Sequence, residues 1–315
     1  MRKTIIDIGT NTMLMLIADY INNEVITVLD VQRTPRLGEN VDEKRNILPS
    51  SFEKAVRILN EYKQISSEHK SESITVTATS FIRDANNKTE FVSAVKEQTG
   101  LRIEILAGED EAKWTFSGGV YDKLQSADGK TISLIDIGGG STEIITSEKK
   151  PSQGNINELL RLSLKGKSID IGAVRIKEKF MNSIPSTKAE IESAKKYISE
   201  ILEQIDFITG DSVLTGVAGT VTTLGAIKLG LSQFESNKVD GLILSARDID
   251  DVFNNTINYP LSKLESIGSF MKGRADILIP GILILQSFMK KFAFDKIIVS
   301  TKGLRYGIFL REVFK

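Results

Sequence analysis

This sequence predicts an α/β protein made of two related halves, on three observations. An apolar run from Thr4 to Asp7 enters the polar turn Gly9-Thr10-Asn11-Thr12 and leaves as a second apolar run, Met13 to Ala18, which is a hairpin signal. The same signal returns as Ile132 to Ile135, then Asp136-Ile137-Gly138-Gly139-Gly140-Ser141-Thr142, then Glu143 to Thr146, so the two Asp-Ile-Gly turns stand 129 residues apart. After each hairpin, strand patterns and helix patterns alternate, and 315 residues suffice for two domains of roughly 150.

The elements follow in order. Phe52, Val56 and Leu59 recur at helical spacing behind Ser50 and Ser51, and Ile74 to Ala78 reads as a strand. Phe91, Val92 and Val95 mark a helix between Thr89 and Gly100, and Leu101 to Leu106 is a strand again. In the second half Thr187 and Glu190 form a capping-box pattern ahead of Ile191, Ala194, Ile198, Ile201 and Ile205. A strand at Ser212 to Thr215 comes next, then helices near Ala246 to Asn258 and Ala275 to Phe292, a strand at Lys296 to Ser300 and a last helix from Leu304. The polar stretch Asp122 to Lys130 is the expected boundary between halves packed around a cleft.

Composition narrows the chemistry. The 41 basic and 41 acidic side chains cancel, so no global field draws nucleic acid or an anionic membrane, and a polyanion site has to be a local cleft. Zero cysteines exclude disulfides, thiolate metal sites and cysteine nucleophiles, and one histidine, His69, in a polar surface stretch, argues against a histidine triad or a multi-histidine zinc site. Asp7 interrupts the first apolar run, so no signal peptide is expected, and Ile277 to Leu285, broken by Pro280 and Gly281, falls short of a bilayer span. The expected location is the cytoplasm.

What remains is carboxylates, hydroxyls, backbone amides and cations. A strand ending in Asp and followed by glycine turns backbone N–H groups toward a concavity that suits phosphate oxygens, while the carboxylate holds a cation directly or through water; any tight hairpin also favours Gly and Asp. Glu143 stands just past the triple glycine, where a carboxylate hints at metal binding or at orienting a water, or is an ordinary strand residue. Glu109, Asp110 and Glu111 follow a strand, either as acids favoured in a first helical turn or as the source of a general base. Arg83, at the end of Thr79-Ser80-Phe81-Ile82-Arg83-Asp84, suits phosphate or a surface ion pair. Gly216-Val217-Ala218-Gly219-Thr220 reads as a further phosphate or nucleotide loop or as a close strand-to-helix turn. Arg161, Lys165, Lys167, Arg175, Lys177 and Lys179 line a polyanion path or a solvated helix face.

Eight motifs in order resemble those of the exopolyphosphatase and guanosine pentaphosphate phosphohydrolase family. They are Asp7-Ile-Gly-Thr-Asn-Thr, Ala78-Thr-Ser-Phe-Ile-Arg83, Gly108-Glu-Asp-Glu-Ala112, Asp136-Ile-Gly-Gly-Gly-Ser-Thr-Glu143, Ile171-Gly-Ala-Val-Arg175, Gly216-Val-Ala-Gly-Thr220, Arg274-Ala-Asp-Ile-Leu-Ile-Pro-Gly281 and Gly303-Leu-Arg305. The resemblance implies an actin-like, ribonuclease-H-like, duplicated two-domain fold with its active site in the interdomain cleft. Domain I would take residues 1–125 with a returning helix from about 300 to 315, and domain II residues 126–299. It also implies release of orthophosphate from the end of inorganic polyphosphate with Mg²⁺, K⁺ serving as an activator, or hydrolysis of guanosine pentaphosphate. By motif, Glu111 is the catalytic base and Glu143 the second essential carboxylate. Asp136, Glu143 and Asp7 would serve the metal, and Asn11, Thr12, Arg83, Gly138, Gly139, Gly140, Ser141, Gly219 and Thr220 the phosphates. The chain resembles the short family form, without the histidine-aspartate-type region of longer members, and is compatible with a homodimer. Its acidic motif places Asp110 where Asn-Glu-Glu is common. A superfamily kinase and a non-catalytic guanosine-polyphosphate-binding regulator are the competing expectations.

Overall fold

The computed structural model describes residues 1–38, 46–124, 129–151, 156–209 and 211–315. Contacts divide the chain into two units, Met1–Gly118 with Leu304–Lys315, and Gly119–Gly303. The boundary expected at 125/126 falls among residues 125–128, outside the described residues.

In the first unit, β1 (Arg2–Ile8), β2 (Met13–Ile21) and β3 (Glu24–Arg33) form an antiparallel meander. The strands β4 (Ser73–Ala78) and β5 (Ile103–Ile105) continue the sheet in parallel with β1, giving the order β3-β2-β1-β4-β5. Helices Pro49–Glu68 and Lys88–Thr99 cover it, and Ile6, Met15 and Ile17 pack with Leu59, Tyr62, Phe91 and Val95 in one buried cluster. The closing helix Leu304–Phe314 lies on β1 and β2, and its Tyr306 hydroxyl is 2.8 Å from that of Thr27 on β3. Gly307 admits that helix, because a Cβ there would sit 1.7 Å from the carbonyl oxygen of Trp114.

The second unit repeats the plan. An antiparallel meander, β6 (Ile132–Ile137), β7 (Thr142–Ser147) and β8 (Leu164–Ile169), is extended by β9 (Val213–Val217), parallel to β6. Beyond β9 lie β11 (Lys296–Val299), parallel to it, and the short antiparallel edge strand β10 (Ile243–Ser245). The order is β10-β11-β9-β6-β7-β8, so a meander followed by two parallel strands occurs twice in the chain. Helix Leu278–Lys291 buries Ile282, Leu283, Leu285 and Phe288, and Lys188–Leu202 opens on the expected capping box between Thr187 and Glu190. This is the actin-like α/β architecture the motifs imply.

Three strands lie outside the sequence expectation, β3, β8 and the three-residue edge strand β10. β3 loses its period-two pattern because a register shift opposite Ile17/Ala18 moves its side chains off alternation. β8 carries Lys165 and Lys167 on a sheet edge, where lysine discourages further pairing, so the first part of the basic stretch is strand and only Arg175, Lys177 and Lys179 sit on a helix, Ala173–Phe180. Ile205 falls beyond the end of its expected helix at Leu202. Among the described residues, no helix is long and apolar enough to cross a membrane.

Hydrogen bonds from the Ser183 hydroxyl and the Thr187 backbone hold the Glu190 carboxyl down to about 2. A depressed carboxylate adds stability above its ordinary value and loses it as pH falls through the native one. Glu190→Gln should therefore melt below wild type at neutral pH, and the two curves should converge as pH drops from about 5 to about 2. The buried hydroxyl of Thr115, on helix Gly108–Val120, has no hydrogen-bond partner among the described residues. Thr115→Val should raise stability by about 1 kcal/mol in denaturant melts, the desolvation cost of an unsatisfied hydroxyl.

Candidate active site

In an open sheet, the carboxyl ends of parallel strands are where loops can converge on a ligand. The first unit places its expected groups there. Asp7 pairs with Thr77 one residue before the end of the β1–β4 ladder at Ile8 and Ala78, and the turn after β1 closes with a hydrogen bond from Gly9 N–H to the Thr12 carbonyl at 2.9 Å. Thr10 and Asn11 are buried in that turn, and the Thr10 and Ser80 hydroxyls meet at 3.2 Å. The turn's own carbonyls are taken from behind: Gly38 N–H donates to Thr10 at 2.9 Å and Arg36 N–H to Asn11 at 3.1 Å.

Arg83 and Glu111 arrive from the next two strand ends. Arg83 lies on the short helix Ser80–Asp84 after β4, and Glu111 in the first turn of Gly108–Val120 after β5. Arg83 Nη1 donates to Glu111 Oε2 at 2.8 Å and to the Leu106 carbonyl at 3.1 Å, and Glu111 is 6% exposed. Sequence reading assigned these residues separate roles; folding makes them a charge-assisted pair that fixes the carboxylate's direction.

The second unit builds the corresponding turn. Gly138 N–H donates to the Ser141 carbonyl at 3.0 Å, the counterpart of Gly9 and Thr12. Asp136 on β6 pairs in register with Glu143 on β7, and Glu143 with Ser168 on β8, so the three side chains share one face of the sheet. The Ser168 hydroxyl donates to Glu143 Oε1 at 2.7 Å, and Glu143 is 2% exposed. Gly139, Gly140 and Ser141 occupy the bend itself.

Gly219 and Thr220 belong to the first turn of helix Ala218–Lys228, which follows β9 with no intervening loop. Ala218 takes the left-handed conformation, φ 63°, to make that corner. Thr220 packs against Gly281, where a Cβ would meet its Oγ1 at 2.5 Å, while Gly219 faces a cation: a Cβ on it would lie 3.1 Å from Arg274 Nη1. Arg274 donates to Thr223 Oγ1 at 3.4 Å, its buried Nε has no partner among the described residues, and burial pushes its pKa below the ordinary arginine value. Arg274 is absent from the expected site residues, although it heads one of the ordered motifs. No spacing rule marks it, because 55 residues separate it from Gly219.

Among the described residues, no three Asp, Glu, His or Cys side chains group as a metal cage. Of the residues expected to serve a metal, Asp7, Asp136 and Glu143, the register sets Asp136 and Glu143 opposite each other on adjacent strands, while Asp7 belongs to the sheet of the first unit. Two carboxylates opposite each other on adjacent strands repel, and Mg²⁺ takes one or two carboxylates with phosphate oxygens and waters, so this oxygen pair fits that ion.

The Ppx/GppA phosphatase family pattern matches residues 16–315. The chain is 31% identical to the bifunctional 3-dehydroquinate synthase/phosphatase of Fusobacterium nucleatum, a match covering 98% of this chain and 46% of that protein, so it spans about half of that relative's length. It is 27% identical to exopolyphosphatase 2 of Mycobacterium tuberculosis, over 98% of both chains. Among solved structures, the Aquifex aeolicus Ppx/GppA family member superposes with a TM-score of 0.81 at 28% identity, covering 100% of this chain and 98% of that one. The strand-end turns, the Arg83–Glu111 pair and the match over nearly the whole sequence agree: the chain belongs to the Ppx/GppA phosphatase family, whose chemistry is phosphoanhydride hydrolysis.

Proposed function

We propose that this protein is an exopolyphosphatase, removing the terminal phosphate of inorganic polyphosphate by Mg²⁺-dependent hydrolysis. The observation that carries it is Glu111, a carboxylate nearly sealed from solvent and aimed by Arg83 at the strand-end edge that also bears the Asp7 turn. In the second unit the turn from Gly138 to Ser141 takes anionic phosphate oxygens on its backbone N–H groups. Glu111 accepts a proton from water as the water oxygen attacks the terminal phosphorus; the anhydride P–O bond breaks and its bridging oxygen leaves with the shortened chain. Asp136 and Glu143 would hold Mg²⁺, which offsets phosphate charge when bound. In the first unit Asp7 would serve the metal and Asn11 and Thr12 phosphate oxygens, and in the second unit Gly219 with Arg274 would supply a further anion contact.

Guanosine pentaphosphate is the second substrate to weigh, since the chain is also 24% identical to the guanosine-5'-triphosphate,3'-diphosphate pyrophosphatase of Pseudoalteromonas translucida, over 96% of this chain and 58% of that protein. Both end in a phosphoanhydride, so the same turns and base apply. Orthophosphate release from polyphosphates of several lengths and from guanosine pentaphosphate, in Mg²⁺ with and without K⁺, ranks them. Faster release from guanosine pentaphosphate reverses the assignment, and phosphate transfer from ATP to an acceptor, exceeding hydrolysis, points to a kinase.

Glu111→Gln should lower kcat by about 10² to 10⁴ while leaving the melting curve and polyphosphate binding in place, the scale of losing a general base. Near wild-type turnover in that variant removes Glu111 from the role. Chelation by EDTA should stop turnover and added Mg²⁺ restore it, whereas Asp136→Asn should raise the Mg²⁺ concentration needed for half-maximal rate by about tenfold or more.

A further inference from the structure

The glycine turn of the second unit does not hold its shape alone. Its carbonyls are taken by the start of helix Ala173–Phe180: Ala173 N–H donates to Gly138 at 2.9 Å, and Val174 and Arg175 N–H donate to Gly139 at 2.9 and 3.2 Å. A trans peptide carries its C=O and the following N–H on opposite sides. Fixing the Gly138 and Gly139 carbonyls toward that helix therefore turns the N–H groups of Gly139 and Gly140 the other way, outward from the turn.

This contact is possible only because residue 172 is glycine. Its backbone is extended, so no left-handed conformation is at issue; the reason is approach distance. A Cβ on Gly172 would fall 2.3 Å from the Gly139 carbonyl oxygen and 2.6 Å from the Gly140 carbonyl carbon. The same short segment reaches the carboxylate strand as well, since the Thr142 hydroxyl donates to the Ile171 carbonyl at 2.6 Å and Ser168 holds Glu143 at 2.7 Å.

The first unit solves the same problem with unrelated residues. Its turn carbonyls, Thr10 and Asn11, are taken by Gly38 and Arg36 from the connection after β3, and a Cβ on Gly38 would meet the Thr10 side chain at 2.4 Å. A crowded glycine next to the turn, with backbone donors to two turn carbonyls, thus occurs twice in sequence contexts that share no motif.

We propose that Ser168–Arg175 is a positioning bracket for the proposed phosphate site: Gly172 and the start of the following helix hold the glycine turn with its N–H groups outward, and Ser168 aims Glu143. This rests on the phosphoanhydride role above. Ser168 and Gly172 are positioning residues, acting through Glu143 and through the turn.

The test uses the full chain as wild type, Ser168→Ala, Ser168→Thr and Gly172→Ala. Three quantities are read: kcat and KM for orthophosphate release from polyphosphate, the melting temperature, and hydrogen exchange across residues 138–143. Ser168→Ala should lower kcat about tenfold with KM within about twofold, and Ser168→Thr, which keeps the hydroxyl, should recover most of the loss. Gly172→Ala should raise KM about tenfold or more, lower the melting temperature and speed exchange most within 138–143, with exchange in the remaining segments close to wild type. Wild-type kinetics in both alanine variants overturn the bracket, and so does a loss that Ser168→Thr fails to recover or, in Gly172→Ala, faster exchange spread evenly over the second unit instead of centred on 138–143. Should Gly172→Ala not fold, the Ser168 pair decides. Should wild type release no orthophosphate from any polyphosphate, the phosphoanhydride role has failed; exchange confined to 138–143 in Gly172→Ala then sustains the bracket, and unchanged exchange there overturns it.

Discussion

One constraint governs both units: a hairpin turn at a strand end must bend so tightly that its backbone groups cannot all pair with one another, yet buried amides and carbonyls need partners. The bond from Gly9 N–H to Thr12, and its counterpart from Gly138 N–H to Ser141, satisfies one group on each side of the bend. Neighbouring segments then take the carbonyls that are left, Thr10 and Asn11 in one unit, Gly138 and Gly139 in the other. With the carbonyls committed behind, the amide face of the turn is what remains for an anion. The rest of each unit serves that geometry: the meander sets the hairpin, and the parallel strands bring other chain segments to the same edge.

Charge is handled locally. The chain carries as many acids as bases, so no long-range field gathers a polyanion, and the candidate charges within each unit are set by near neighbours. Arg83 neutralises and aims Glu111, the Ser168 hydroxyl meets Glu143, and Asp136 faces Glu143 across one strand pair. The last arrangement stands out electrostatically, since two carboxylates facing each other are tolerated where a cation offsets them. Arg274 beside Gly219 shows the opposite imbalance, a partly desolvated cation whose Nε lacks a partner among the described residues, which suits a position near an anion.

Much of this was legible before folding was considered. The repeated Asp-Ile-Gly turn announced the duplication, and strand and helix periodicity located most elements within a few residues, because apolar spacing reports burial directly. The capping box at Thr187 and Glu190 was readable since both partners lie within one turn of chain. β3 and β8 were not: a register shift scrambles alternation in the first, and edge lysines hide the second. The Gly216 to Thr220 motif left a phosphate loop and a close strand-to-helix turn both open, and the fold makes it the turn, the end of β9 running directly into helix Ala218–Lys228 with a left-handed Ala218 at the corner.

The amino-acid sequence by itself determined the α/β class, the two halves, the candidate carboxylates and the family, because these rest on local periodicity, residue chemistry and ordered motifs. Only tertiary structure decided how those residues work together. Arg83 and Glu111 are 28 positions apart, and Glu143 and Ser168 are 25 apart, yet each pair closes to hydrogen-bond distance through strand order and register. The need for glycine at position 172 is likewise tertiary. It comes from the carbonyl of Gly139 pressing against that backbone, a contact that no local sequence pattern encodes.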